Sequence, residues 1–244
     1  MVATGVRPTV FIVAGLVLSS RVVAGPEWCE VSDAGSTRAT AQVITVAGPV
    51  TKIKCGSLST GLVADYEDMY LLRINDNTTF LARTINVPPD DPTDFNTELW
   101  LFDANGFGIV GNDDAPAPPA TTLSQLLPMA NDNSGAMITG PGCFYLAVSG
   151  HANVPVSAGG VIFNQNSATE ISGPDGPGGG LTHLGWSGPG AVGHYTVELM
   201  AVSGPPCANI PAVDDVGLGV LVILVAMAGI ILIRRRRPQP ATPL

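Results

Sequence analysis

His194-Tyr195-Thr196-Val197-Glu198-Leu199 alternates polar with apolar residues in steps of two. Successive side chains of a strand point to opposite faces, so this is the pattern of a half-buried β-strand; a helix would repeat its apolar residues every three to four positions. The same step recurs upstream. Phe144, Leu146 and Val148 alternate with Tyr145, Ala147 and Ser149, and Tyr66, Tyr70, Leu72 and Ile74 fall on one side of a run with Asp68 among them. Residues 39–46, 79–85, 98–102 and 156–163 complete a set of seven or eight candidate strands. Short strands parted by Gly, Pro, Asn and Asp predict an all-β fold: an antiparallel two-sheet sandwich, jelly-roll-like, with one wetted face on each sheet. Residues 87–96, 115–120 and 173–180 are too rich in proline and glycine for strands and are expected to be loops.

Composition agrees with a packed domain. Of 244 residues, 45% are apolar and 13% charged; 29 glycines and 21 prolines stay below the share that marks a low-complexity chain. The formal net charge is -9, yet residues 25–213 hold 18 acidic against 5 basic side chains, because six of the eleven basic residues lie in the terminal segments. A surface of that sign repels phosphate backbones, which sets nucleic acid aside as a partner and favours a hard cation such as calcium.

Both ends read as addresses. Arg7, the apolar stretch 9–18 and Val22-Val23-Ala24 predict a secretory signal peptide over 1–24, cut after Ala24. Residues 216–233 are 18 positions without a charge, about 27 Å as a helix, and Arg234, Arg235, Arg236 and Arg237 follow. Cationic residues beside a span tend to stay cytoplasmic, so this transmembrane helix places domain 25–209 outside the cell and the tail 238–244 inside. Ile210-Pro211, Gly217, the apolar run and the arginines together resemble the IPTL and PEP-CTERM type of bacterial sorting signal, over 210–237. That resemblance implies an exosortase-like sorting protease as a partner in the membrane. Ala212, Val213, Asp214, Asp215 and Val216 depart from the consensus motif; a plain single-span anchor is the alternative.

The interior carries a second resemblance. Asp65-Tyr66-Glu67-Asp68-Met69-Tyr70, then Glu98-Leu99-Trp100-Leu101-Phe102-Asp103-Ala104-Asn105-Gly106, Gly111-Asn112-Asp113-Asp114 and Gly142-Cys143-Phe144-Tyr145-Leu146-Ala147-Val148 form an ordered series over about 61–150. In order and spacing it resembles the bacterial pre-peptidase C-terminal domain, a small β-sandwich. The resemblance implies an accessory module with no catalysis of its own, in a family where some members bind calcium or extracellular polymers and proteins. No peptidase domain precedes it here.

Asp103, Asn105, Asp113 and Asp114, with Asp65 and Asp68 from an earlier strand, are the candidate calcium ligands, since a hard cation takes six to eight oxygens. The bland reading of Asp-Asn-Gly clusters is tight turns, and the EF-hand loop with its closing Glu is missing. Hydrolase signals are weak. Gly185-Trp186-Ser187-Gly188-Pro189 brings its second glycine one position too early for a nucleophile elbow, and His151, His183 and His194 lack zinc-helix spacing. Cys29, Cys55, Cys143 and Cys207 permit two disulfides in three connectivities, of which Cys29–Cys55 with Cys143–Cys207 is the most local. The expectation is therefore an exported, non-enzymatic protein with a binding or structural role at the cell surface. A secreted hydrolase or carbohydrate-active enzyme and a calcium-stabilised adhesion module are the alternatives.

Overall fold

The computed structural model describes residues 25–46, 48–116, 121–204 and 207. The expected leader (1–24) and the sorting segment (210–237), with Ile210, Pro211, Gly217, the helix over 216–233 and the four arginines, lie outside the described residues. Among the described residues no helix is long and apolar enough to cross a membrane.

Strands account for the regular structure. The chain passes through β1 (Glu27–Cys29), β2 (Gln42–Val43), β3 (Pro49–Leu58), β4 (Glu67–Ile74), β5 (Leu81–Thr84), β6 (Thr97–Asp103) and β7 (Gly108–Asn112). It continues through β8 (Gln125–Leu126), β9 (Gly142–Gly150), β10 (Pro155–Ser157), β11 (Gly160–Val161), β12 (Gly185–Trp186) and β13 (Gly193–Ser203). Ten strands share one mixed sheet, and β11-β10-β12 form a second.

The alternating stretch at 194–199 is the hinge of this architecture. β13 pairs with β3, with β5 over Val197 to Met200, and with β4 at Val202 and Ser203. Its register with β3 slips between Tyr195 and Val197 and again between Glu198 and Val202. An unpaired extra residue bends a strand and sharpens its twist, which lets one hydrogen-bonded sheet fold over into two limbs. Tyr195, Val197, Leu199 and Ile53 from one limb and Tyr70, Leu72, Leu99, Leu101, Leu146 and Val148 from the other fill a single core in a sandwich-like arrangement.

Two expectations change. The sheet is not purely antiparallel, because β1 runs parallel to β3 and β2 parallel to β4. A parallel pair needs a long crossover, and the N-terminal segment supplies one by visiting both limbs before β3 begins. Nor is one face of the central strands wetted. Trp100, Phe102, Met69 and Ala147 point away from the main core and pack with Ile162 and Phe163 into a second apolar cluster, where the Trp100 and Phe163 rings lie 5.2 Å apart. Segment 154–186 covers that face, so β6 is buried at every position from Thr97 to Phe102.

All four cysteines are paired, Cys29 with Cys55 and Cys143 with Cys207, in the most local connectivity. The first bridge ties β1 to β3, and the second ties β9 to the chain just beyond β13.

Candidate functional site

β4 places Asp68 on the same face as Tyr70, Leu72 and Ile74, and the side chain is fully buried. A carboxyl in that position requires partners, since burying a charge without compensation costs several kcal/mol. The Tyr195 hydroxyl lies 2.6 Å from Asp68 Oδ2, the Tyr195 and Tyr70 hydroxyls meet at 2.5 Å, and the Tyr70 hydroxyl lies 3.0 Å from Glu30 Oε2. This run of three contacts needs three protons. The two phenols carry one each, so a carboxyl group at one end holds the third.

The electrostatics agree with that count. Burial, followed by the negative charge of Glu30, pushes Asp68 up to about 8. Burial also pushes Glu30 up to about 7, against the hydrogen bond from Tyr70. Glu67 rises to about 7 and Asp65 to about 6, in both cases first through burial. Asp68 Oδ1 has no hydrogen-bond partner.

Glu30 reaches this place because it follows Cys29, whose bridge to Cys55 fixes β1 on β3. Trp28 stacks edge-on against Tyr70 at 5.8 Å. The loop after Glu30 is held by Gln42, whose side chain accepts from Val31 N–H at 2.8 Å and donates to Val31 O at 2.7 Å. Asp33 thereby joins Glu30 and Asp68, with one carboxylate oxygen from each within 4.8 Å of the others. Asp33 is exposed and opens the cluster to solvent. Asp65 lies near enough for its charge to raise both Glu30 and Asp68.

The six expected calcium ligands therefore divide into three places. Asp65 and Asp68 belong to the cluster just described. Asp103 and Asn105 form a turn, in which Asp103 Oδ1 accepts from the N–H groups of Asn105 and Phe107, each at 2.8 Å. Asp113 and Asp114 lie at the far end of β7 from that turn, about 16 Å of strand away. Asp113 meets Glu98 and His151 there.

Glu30, Asp33, Glu98 and His151 were not among the sequence candidates. Glu98 carries a signal, as an acid at the head of the apolar run 99–102 of β6; Glu30 and Asp33 carry none, because a disulfide and a loop bring them in. Ser187 gives its hydroxyl to the backbone, accepting from Val154 N–H at 3.0 Å and reaching Ala152 O at 3.5 Å. His183 packs between Phe102 and Trp186, and burial, then the Arg38 charge, lowers it to about 4. No protein-family model, curated protein or solved structure matches the chain in comparison.

Proposed function

We propose that the chain is an exported, non-enzymatic protein that displays its β-domain outside the cell, with a binding or structural role, held by the helix over 216–233 or passed to a sorting protease. The pairing of all four cysteines carries this reading, since disulfides persist in oxidising compartments. The terminal address segments support it from the sequence. Protease shaving of intact cells should digest the β-domain while cytoplasmic markers survive. A domain spared in intact cells and digested only after lysis would overturn the reading, as would turnover of an ester, peptide or glycan that a single Ser or His substitution abolishes.

A second reading, a calcium-stabilised module, is favoured by one observation: the buried, partnerless Asp68 Oδ1 beside Glu30 and Asp33. All-oxygen donors suit a hard cation, whose binding would displace the protons these carboxyls hold in its absence. At calcium a hundredfold above its dissociation constant, linkage adds about 2.7 kcal/mol. For a domain of this size that corresponds to a rise in Tm of roughly 5–10 °C. Melting of the detergent-solubilised chain should show this rise and lose it in Asp68→Asn; calcium-independent melting would count against the reading.

A further inference from the structure

A different cluster lies under the loops that cover the outer face of β6. Antiparallel register sets Glu98 opposite Ser149 and Thr97 opposite Gly150, so that His151, the next residue, lies beside Glu98. Asp113 arrives from the neighbouring strand, one residue after Asn112, which pairs with Leu99. His151 Nδ1 is 3.2 Å from Asp113 Oδ2, 3.3 Å from Asp113 Oδ1 and 3.4 Å from Glu98 Oε1.

Hydrogen bonding alone leaves this arrangement under-served. One imidazole nitrogen carries at most one proton, yet it faces three oxygens of two carboxyl groups. Glu98 is 2% exposed, and its other donors, Ser149 Oγ and Ala152 N–H, are both as far as 3.4 Å. The next carboxyl in the chain, Asp114, keeps an Oδ1 that is closed off from solvent with no hydrogen-bond partner.

The spacing and the donors suit a metal ion. When four ligands surround zinc tetrahedrally with bonds of about 2.0–2.1 Å, neighbouring donor atoms are about 3.3–3.4 Å apart. Imidazole with two carboxylates is a borderline set that selects zinc-class ions over calcium. Supporting groups are already in place. Trp100 Nε1 donates to Ser149 Oγ at 2.8 Å, and Ser149 in turn donates to Glu98 Oε2. Buried Asn112 grips the chain around Asp113 through Asp114 O at 2.8 Å, Glu170 O at 2.9 Å and Gln125 N–H at 2.7 Å. Second contacts of this kind fix ligand orientation. His151 is half-exposed, which gives an ion a way in and leaves a position for water.

We propose that Glu98, Asp113 and His151 bind one divalent ion of the zinc class, at a site separate from the oxygen cluster of Glu30, Asp33 and Asp68. Titration of the metal-free, detergent-solubilised full chain with cobalt(II) reads both stoichiometry and geometry, through visible d–d bands characteristic of four-coordination. One equivalent should saturate these bands, zinc should bleach them, and millimolar calcium should leave them intact. His151→Gln and Asp113→Asn should each weaken binding at least tenfold. His194→Gln, at an exposed histidine paired with Asp94, should leave it unchanged. His151 is half-exposed, so its variant should melt like the parent without metal, and Glu98→Gln provides a second variant that removes a buried charge. Absence of saturable binding, displacement by calcium, or affinity indifferent to His151→Gln would overturn the proposal. None of these outcomes depends on where the protein is located.

Discussion

Asp68 keeps its proton to about pH 8, where an ordinary aspartic acid releases it near 3.8. The cause is burial, so the folded chain binds a proton that the unfolded chain gives up over the interval between those values. A carboxyl with a raised folded-state value contributes stability that is complete below its unfolded value and is lost as pH rises through the folded one. Glu30 and Glu67, both near 7, and Asp65, near 6, act in the same direction. His183 acts in the other: lowered to about 4, it favours the fold above pH 6.5 and loses that contribution as pH falls toward 4. With a chelator present, four raised carboxyls outweigh the one lowered histidine, so the melting temperature should decline from pH 5 toward pH 8.5. Asp68→Asn should flatten the alkaline decline. Melts across this range decide the matter, and a temperature that climbs steadily from pH 5 to pH 8.5 would contradict the assignment.

β13 and β3 meet where Gly56 faces Tyr195 across the ladder. A methyl group on Gly56 would lie 2.2 Å from the Tyr195 ring, which is fully buried and tied through its hydroxyl to Tyr70 and Asp68. The ring has nowhere to yield, so Gly56→Ala should destabilise the domain by about 1–3 kcal/mol, the usual cost of overpacking. Chemical denaturation would measure it, and the variant should also weaken any calcium response, because the tyrosine relay moves with the ring. Much of this layer was legible in the sequence. The steps of two at 144–149 and 194–199 mark β9 and β13, and Tyr70, Leu72 and Ile74 do share the core face with Asp68. β1 and β2, with three and two residues, are too short to show any period and exist only through their partners. The second apolar cluster escaped for another reason: alternation tells which residues share a face, while Ile162 and Phe163, which cover Trp100 and Phe102 of β6, lie about 60 positions further along the chain. The site was legible by halves for the same cause. Asp68 lies in β4 and Asp65 just before it, close enough to be read together, whereas Glu30 and Asp33 arrive through a bridge and a loop.

At the scale of the whole molecule, the two disulfides close loops of unequal size, with sequence separations of 26 and 64 residues. Loop-closure entropy assigns about 3.5 kcal/mol to the smaller and about 4.3 kcal/mol to the larger. Replacing Cys143 and Cys207 together by alanine should therefore lower stability more than replacing Cys29 and Cys55, as urea denaturation would report. The smaller bridge should matter more for the carboxylate cluster, since it positions Glu30; calcium stabilisation should fall further in Cys29→Ala/Cys55→Ala than in the other pair. Charge follows the same division. Lys54 joins Glu27 at 3.3 Å and Asp91 at 3.0 Å, Lys52 contacts both, and Arg83 joins Glu198, so three of the five cations of residues 25–213 are already neutralised locally. Part of the acidic surplus is buried, at Asp68, Glu98 and Asp113.

The larger bridge has a mechanical consequence. Any pull on the chain beyond residue 207 enters the domain at Cys207 and passes through a covalent link into β9, which lies between β4 and β6. Tension there acts on a central strand that is hydrogen-bonded to a neighbour on each side, whichever way β13 itself responds. A load from the carboxyl side is thus shared by two ladders from the outset.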